Sequence, residues 1–308
     1  MGLGESKEII VVRTILKNQS ALQLLIPLIG ILALAAAAAG LFWQTGGQPF
    51  PFTSVRGEAV SIFGRGLYRF DTVSAAAQEQ GQDVVTLVIS LPVLVVSTWL
   101  ALRGSLRGRL LLTGTLGYFL YTYAMMAFET AYNPLFLVYV ALFSLSLYAF
   151  ILSMMSFDLS TLPQQFSPRL PRRAIAGLLF AAGGFLLLAW LGRIVPPLLQ
   201  NSTPALENST TLVIQAMDLG LIVPLSILSG ILLLRRSAWG YLLASVSVMK
   251  FATYGTAVSA MGINMVLSGI SGGEGLLVVF LTLTLVNLVL TVLLLKNVQA
   301  QPEVSLPT

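Results

Sequence analysis

Apolar residues run through this chain in blocks of about twenty, with neither the stripe of a half-buried helix nor the alternation of a strand, and about twenty helical residues cross a hydrocarbon core of about 30 Å. Eight such blocks stand out: Ala21–Trp43, Val84–Leu102, Leu110–Ala131, Pro134–Ser156, Ala174–Leu198, Thr211–Leu234, Gly240–Val266 and Gly275–Leu295. The pattern predicts an all-α polytopic transmembrane helical bundle of about eight spans. A second reading exists for the first block: its basic N-terminal flank, the run Leu24–Ala38 and a small-residue site also fit a cleaved signal peptide, although a charged flank of about twenty residues is long for one.

The connections say which way the helices point. With the N-terminus in the cytoplasm, the inner segments hold Lys7, Arg13, Lys17, Arg103, Arg107, Arg109, Arg169, Arg172, Arg173, Arg235, Arg236 and Lys296, and the outer ones hold Arg56, Arg65, Arg69 and Arg193. Twelve against four selects both termini inside and the cell (plasma) membrane as the location. In this setting Arg103, Arg107, Arg109, Arg235 and Arg236 read as inner-leaflet anchors, and the net charge of +5 reports orientation and implies no nucleic-acid partner.

Self-comparison exposes a repeat. At an offset of 132, Pro92–Leu111 lies over Pro224–Leu243 without a gap and with nine of twenty positions identical, among them Pro92/Pro224, Arg103/Arg235, Ser105/Ser237 and Gly108/Gly240. A duplication would give two four-helix halves, residues 1–157 and 158–308, crossing in the same sense about an axis along the membrane normal. The plainer explanation is that any helical hairpin with a tight basic turn carries these residue types.

Two connections are long. Residues 44–83 form an outer loop in which Asp71-Thr72 can cap a short helix over Val73–Gln80, while Phe63, Leu67, Tyr68 and Phe70 suit the bilayer interface; the loop reads either as a lid or as a surface segment lying on lipid. Phe157–Arg173, with three prolines and no apolar period, reads as a hinge between halves. Sequons at Asn201 and Asn208 fall on the outer side and one at Asn18 on the inner side, so they carry little weight.

The strings RGSLRGRLLL, GYFLYTYAM and YNPLFLVYVALFSLSLYA, with GRGLYRFDTV in the outer loop, resemble a group of uncharacterised prokaryotic multi-pass integral membrane proteins with no assigned activity. The likeness is best over residues 57–150 and implies a membrane fold, but no substrate, cofactor or catalytic residue.

Chemistry must therefore be sought in polar groups at membrane depth, each of which costs about 2.5–3.5 kcal/mol at a helix centre. By these span boundaries only Glu129 and Asp218 among the acids lie within spans, with Lys250 deep in the seventh block. Asp218 and Lys250 are placed to form an intramembrane ion pair, with Gln215 one turn above Asp218 and Tyr254 extending the lysine's face; such a pair serves either as a site or as glue. Gly114, Tyr118, Tyr121, Thr122, Met125, Glu129 and Tyr132 share one face of the third block, and Tyr118 corresponds to Lys250 at the repeat offset. The small-residue runs Ala35–Gly40 and Ala181–Gly184 suit close helix packing.

The chain has no Cys and no His, which removes thiol and imidazole catalysis and the usual zinc, copper and haem ligands. No phosphate loop or nucleophile elbow is present, one intramembrane aspartate is too few for an aspartyl protease, and a Ser–Lys dyad lacks an identified serine. A retinal-type lysine conflicts with eight spans and an inner N-terminus. No metal or cofactor is expected. The readings that remain are a small-solute or proton-coupled transporter or permease-like protein with a cavity between the halves; a non-catalytic membrane subunit or assembly scaffold; and, third, an outer-face lipid-linked enzyme. The partners implied are the bilayer, a small molecule or ion, and other membrane subunits.

Overall fold

The computed structural model describes residues 2–43, 45–270 and 274–299, with side chains from residue 20 onward and, in the last helix, from residue 277. Lys7, Arg13, Lys17 and the Asn18 sequon lie outside the described side chains, and residues 300–308 outside the described chain. The order is α1 (Gly2–Phe42), β1 (Phe50–Thr53), β2 (Ala59–Ile62), α2 (Val73–Val85), α3 (Leu91–Leu102), α4 (Leu106–Phe128), α5 (Phe136–Met155), α6 (Arg172–Leu199), α7 (Val213–Met217), α8 (Val223–Leu234), α9 (Ala238–Leu267) and α10 (Glu274–Lys296). Among the described residues seven helices are long and apolar enough to cross a membrane: Ser20–Phe42, Val73–Leu102, Leu106–Phe128, Phe136–Met155, Arg172–Leu199, Val213–Leu234 and Leu277–Lys296. The chain is thus a multi-pass membrane protein with an all-α bundle. The seventh expected block, α9, is thirty residues long yet is not among the seven. It packs between α2, α4, α8 and α10, so its Ser, Thr, Tyr and Lys residues face protein rather than lipid.

Both hairpins of the expected repeat are built alike. α2 and α3 are joined by a π turn over Thr86–Ser90, and α7 and α8 by one over Asp218–Ile222, 132 residues later. Pro92 and Pro224 follow at the same place. A proline ring crowds the preceding turn and removes one amide donor, and a wider turn relieves both problems. The Leu91 amide reaches back five residues to Thr86, and the Val223 amide to Asp218. The tight turns that follow also match. Ser105 and Ser237 donate their amides to Leu100 and Leu232, each at 3.1 Å, and their hydroxyls accept from Gly108 and Gly240. The residue before each serine is left-handed: Gly104 at φ 79° and Arg236 at φ 57°.

Several boundaries differ from the sequence reading. The second helix starts at Val73, not Val84, because Thr72 caps it by accepting the Ala75 amide. Gly81 then lets it lie directly on α9, where an added Cβ would stand 2.8 Å from the Met261 backbone. Glu79, Gln82 and Asp83 therefore belong to a span, not to a loop. The preceding segment folds as the β1–β2 hairpin and buries Phe63, Leu67 and Tyr68, while Phe50, Phe52, Val55 and Phe70 stay exposed. The connection 157–173, read as a hinge, is packed against the bundle. Phe157, Leu162, Phe166 and Leu170 are buried in the core around α9, and Phe166 pairs with Val298. α1 is part of the bundle. Ile29, Ala33 and Ala37 are fully buried, and the space over Gly40 is filled by the Asp83 carboxylate, which accepts from Tyr68 at 2.6 Å. The second small-residue run also packs closely, with Gly183 against Ser226.

The arginines expected at a lipid surface are partly used by protein. Arg107 donates to the Val298 carbonyl at 2.7 Å, Arg109 to the Ser156 carbonyl while lying over the Phe157 ring, and Arg103 stacks on Trp99. Arg235 caps α8, and Arg236 forms the left-handed turn that follows.

Candidate functional site

A cavity of about 560 Å³ opens between the two sets of helices. Its walls come from α2 and the end of α4 on one side and from α6, α7, α9, α10 and the 206–212 segment on the other. Helix pairs that the 132-residue offset would align are packed unequally around this space. α2 packs closely on α9, whereas α7 barely touches α4; likewise α1 packs along α5, whereas α6 and α10 meet slightly, with Phe185 set edge-to-face on Phe280.

The β1–β2 hairpin is tied to the 206–210 segment, part of which lines the cavity. Arg56 at the hairpin tip donates to the Thr210 carbonyl at 2.9 Å, and the Glu58 carboxylate accepts the amides of Leu206 and Glu207. Thr72 donates to Glu207 at 2.6 Å and Ser209 to Glu129 at 2.9 Å. These bonds tie the 206–210 strap to the first half across the cavity. Glu129 stands one residue past the end of the α4 span. It follows α4 as its C-cap, and burial raises its pKa against the Ser209 bond and the nearby Arg193. Asp71 is also at the mouth. It accepts the Ala131 amide at 2.7 Å; burial lifts its pKa to about 7 against that bond, with Glu129 pushing the same way.

Deeper, Asp218 begins the π turn of the second hairpin and is 4% exposed. Its partners are not those expected. Tyr121 of α4 donates to Oδ1 at 2.5 Å and Trp190 of α6 to Oδ2 at 2.9 Å. Among the described residues the Lys250 Nζ has no hydrogen-bond partner, and it sits over the rings of Tyr121 at 4.1 Å, Tyr254 at 4.7 Å and Phe251 at 5.3 Å. The direct ion pair is thus replaced by a relay: Tyr121 gives its hydroxyl to the carboxylate and its π face to the ammonium. Two long side chains on neighbouring helices had room for a third residue between them, and a buried phenol satisfies both.

Asp218, Gln215, Glu129 and Tyr254 line the cavity; Lys250, Tyr118 and Tyr121 do not. Tyr118 is fully buried in the first half, where it bonds Gln82 and, at 2.8 Å, Thr86. The Thr86–Tyr118 contact stands 132 residues before Asp218 and Lys250. One hairpin has closed this position with neutral hydroxyls, and the other holds charges there. Tyr132, the last of the predicted stripe, is exposed.

Sequence reasoning missed Trp190, Glu79, Gln82 and Asp71 as members of the site. The two-wide stripe Gln78-Glu79 and Gln82-Asp83, four residues apart, was the available signal for a polar helix face. Trp190 carried none, since a tryptophan in an apolar run reads as packing until its N–H needs a partner. Comparison of the chain with protein-family models, curated proteins and solved structures returns no match.

Proposed function

We propose that this protein is a permease-like carrier of a small solute, coupled to protons or not, whose binding site is the cavity between the halves. In this reading α9 is an eighth crossing helix, the two halves descend from a duplication, the hairpin end faces outward, and both termini lie in the cytoplasm of a plasma-membrane protein. The observation that carries it is the cavity of about 560 Å³ reaching Asp218 from a mouth rich in carboxylates. A volume in this range suits a small molecule. Carboxylates at membrane depth persist where they are paired or used, and the unequal packing of equivalent helix pairs gives a bundle with one loose seam on which to rock. A scaffold needs neither the opening nor a polar wall. One observation favours a structural role for part of the cluster: Lys250 is held behind Tyr254 and off the wall, which makes it a fixed counter-charge rather than a contact for solute.

Alternating access is the testable core. Because the chain has no cysteine, Gln215→Cys would carry the only thiol. A membrane-impermeant maleimide should label it in right-side-out vesicles and, more slowly, in inverted ones. Labelling from the hairpin side alone under every condition would leave a static pocket and remove the permease reading.

A further inference from the structure

The cavity wall is one-sided in charge. Among its described residues are the carboxylates of Asp71, Glu79, Glu129, Glu207 and Asp218 and a single cation, Arg193, whose guanidinium already donates to the Ala205 carbonyl. Ser209, Thr72, Tyr121 and Trp190 supply donors to three of the carboxylates. The other two are served less completely. Asp71, 6% exposed, accepts the Ala131 amide at Oδ1, and among the described residues its Oδ2 and the Glu79 Oε2 have no partner. Farther along the wall Asn287, 3% exposed, donates to the Val248 carbonyl and leaves its own Oδ1 unpartnered.

Asp71, Glu79 and Asn287 line the cavity, and buried acceptors without donors each cost about 1–3 kcal/mol, so side-chain rotations that turn these oxygens toward the cavity are favoured by an occupant that brings donors. The remaining wall is apolar and aromatic, with Phe185, Trp190, Phe251, Tyr254 and Phe280 around it and the adaptable thioethers of Met125 and Met261. Such rings attract a cation and cover an apolar body.

We infer that the cavity takes an amphipathic organic ammonium, a primary or secondary amine with an apolar, aromatic-sized body. This rests on reading the cavity as a binding site and names its substrate class. The ammonium N–H groups meet Asp71 and Glu79 near the mouth, and the body lies between α6, α9 and α10. An anion would face the carboxylates with only Arg193 in its favour. A neutral solute would gain no charge-assisted bond. An inorganic cation lacks a nest, since no three acidic groups among the described residues are arranged to hold a metal.

The test uses the full chain in lipid nanodiscs, with Trp43, Trp99 and Trp239 replaced by Phe so that Trp190 alone reports occupancy. Phenylbutylamine, phenylbutanol and phenylbutyrate share one body and differ in head group. Saturable quenching by the amine, at least about tenfold weaker binding of the alcohol and no binding of the carboxylate are expected. Asp71→Asn and Glu79→Gln should each weaken the amine about tenfold and leave the alcohol unchanged. Equal binding of amine and alcohol, or an amine affinity indifferent to both substitutions, would overturn the assignment. Each variant's thermal unfolding identifies a misfolded protein, and the conservative Asp71→Glu should then recover amine binding if charge is what is read. Amine binding without two-sided labelling of Gln215→Cys would remove the permease reading alone; two-sided labelling without amine binding would remove this one alone.

Discussion

Replacing Lys250 and replacing Asp218 should have unequal effects, and the inequality measures how the cluster is wired. In a direct buried ion pair, removal of either partner leaves an uncompensated charge and costs about 3–5 kcal/mol. Here Asp218 keeps donors from Tyr121 and Trp190 when Lys250 is gone. Lys250→Met gives up cation–π attraction worth roughly 0.5–2 kcal/mol per favourable ring, and it also removes a buried ammonium whose desolvation costs several kcal/mol. The net change should lie within about 1 kcal/mol of zero or be stabilising. Asp218→Leu instead strands the phenol and indole donors, at about 1–3 kcal/mol each, and takes away the only nearby negative charge. Its cost should reach or exceed about 4 kcal/mol, and adding Lys250→Met should recover a large part of that. Reversible unfolding of the four proteins in mixed detergent micelles, followed by Trp fluorescence, supplies the numbers. If Lys250→Met alone costs as much as Asp218→Leu, the relay through Tyr121 is wrong and the two residues pair directly.

Three further outcomes follow from other parts of the molecule. With its pKa raised from 3.8 to about 7 by burial, Asp71 binds a proton more tightly in the folded state, so the stability it contributes is full in acid and fades as pH rises through about 7. Between pH 5 and pH 8 unfolding curves should show wild type losing about 2–3 kcal/mol relative to Asp71→Asn, and parallel curves would contradict this. Arg236→Gly should stabilise by about 0.5–1 kcal/mol because it relieves a left-handed arginine, while Gly104→Ala should destabilise by a similar amount; thermal melts of both variants test the pair. Gly81→Ala places a methyl group against the Met261 backbone and should cost about 1–3 kcal/mol by separating α2 from α9, read in the same assay.

How much of this was legible in the sequence varied with the kind of signal. Runs of apolar residues located the helices, and the offset of 132 pointed to two hairpins with shared Pro, Ser and Gly positions; the matching π turns, serine caps and left-handed residues became visible only in the structure. The cap and start of α2 were legible at Thr72 and Val73, but its continuity with the second span was hidden. A helix packed on protein along Gly81 can carry Gln78, Glu79, Gln82 and Asp83, and hydropathy reads those as loop. α9 shows the same effect, for burial between helices excuses polar residues that lipid would not. At the site the sequence found both charges but not what stands between them. Tyr121 was on the predicted stripe, yet its double contact depends on the crossing of α4 with α9, which no spacing along one helix encodes. Trp190 comes from a third helix altogether.

The central claim is a water-accessible cavity between the halves, and neighbouring residues on α10 test it most directly. Thr284 lines the cavity, whereas Leu285 is 64% exposed on the outside of the bundle. With no native thiol in the chain, Thr284→Cys and Leu285→Cys can be exposed in intact spheroplasts to a membrane-impermeant maleimide. Labelling of residue 284 and protection of residue 285 by lipid is the expected result. Equal labelling of both, or none at residue 284, would contradict the cavity.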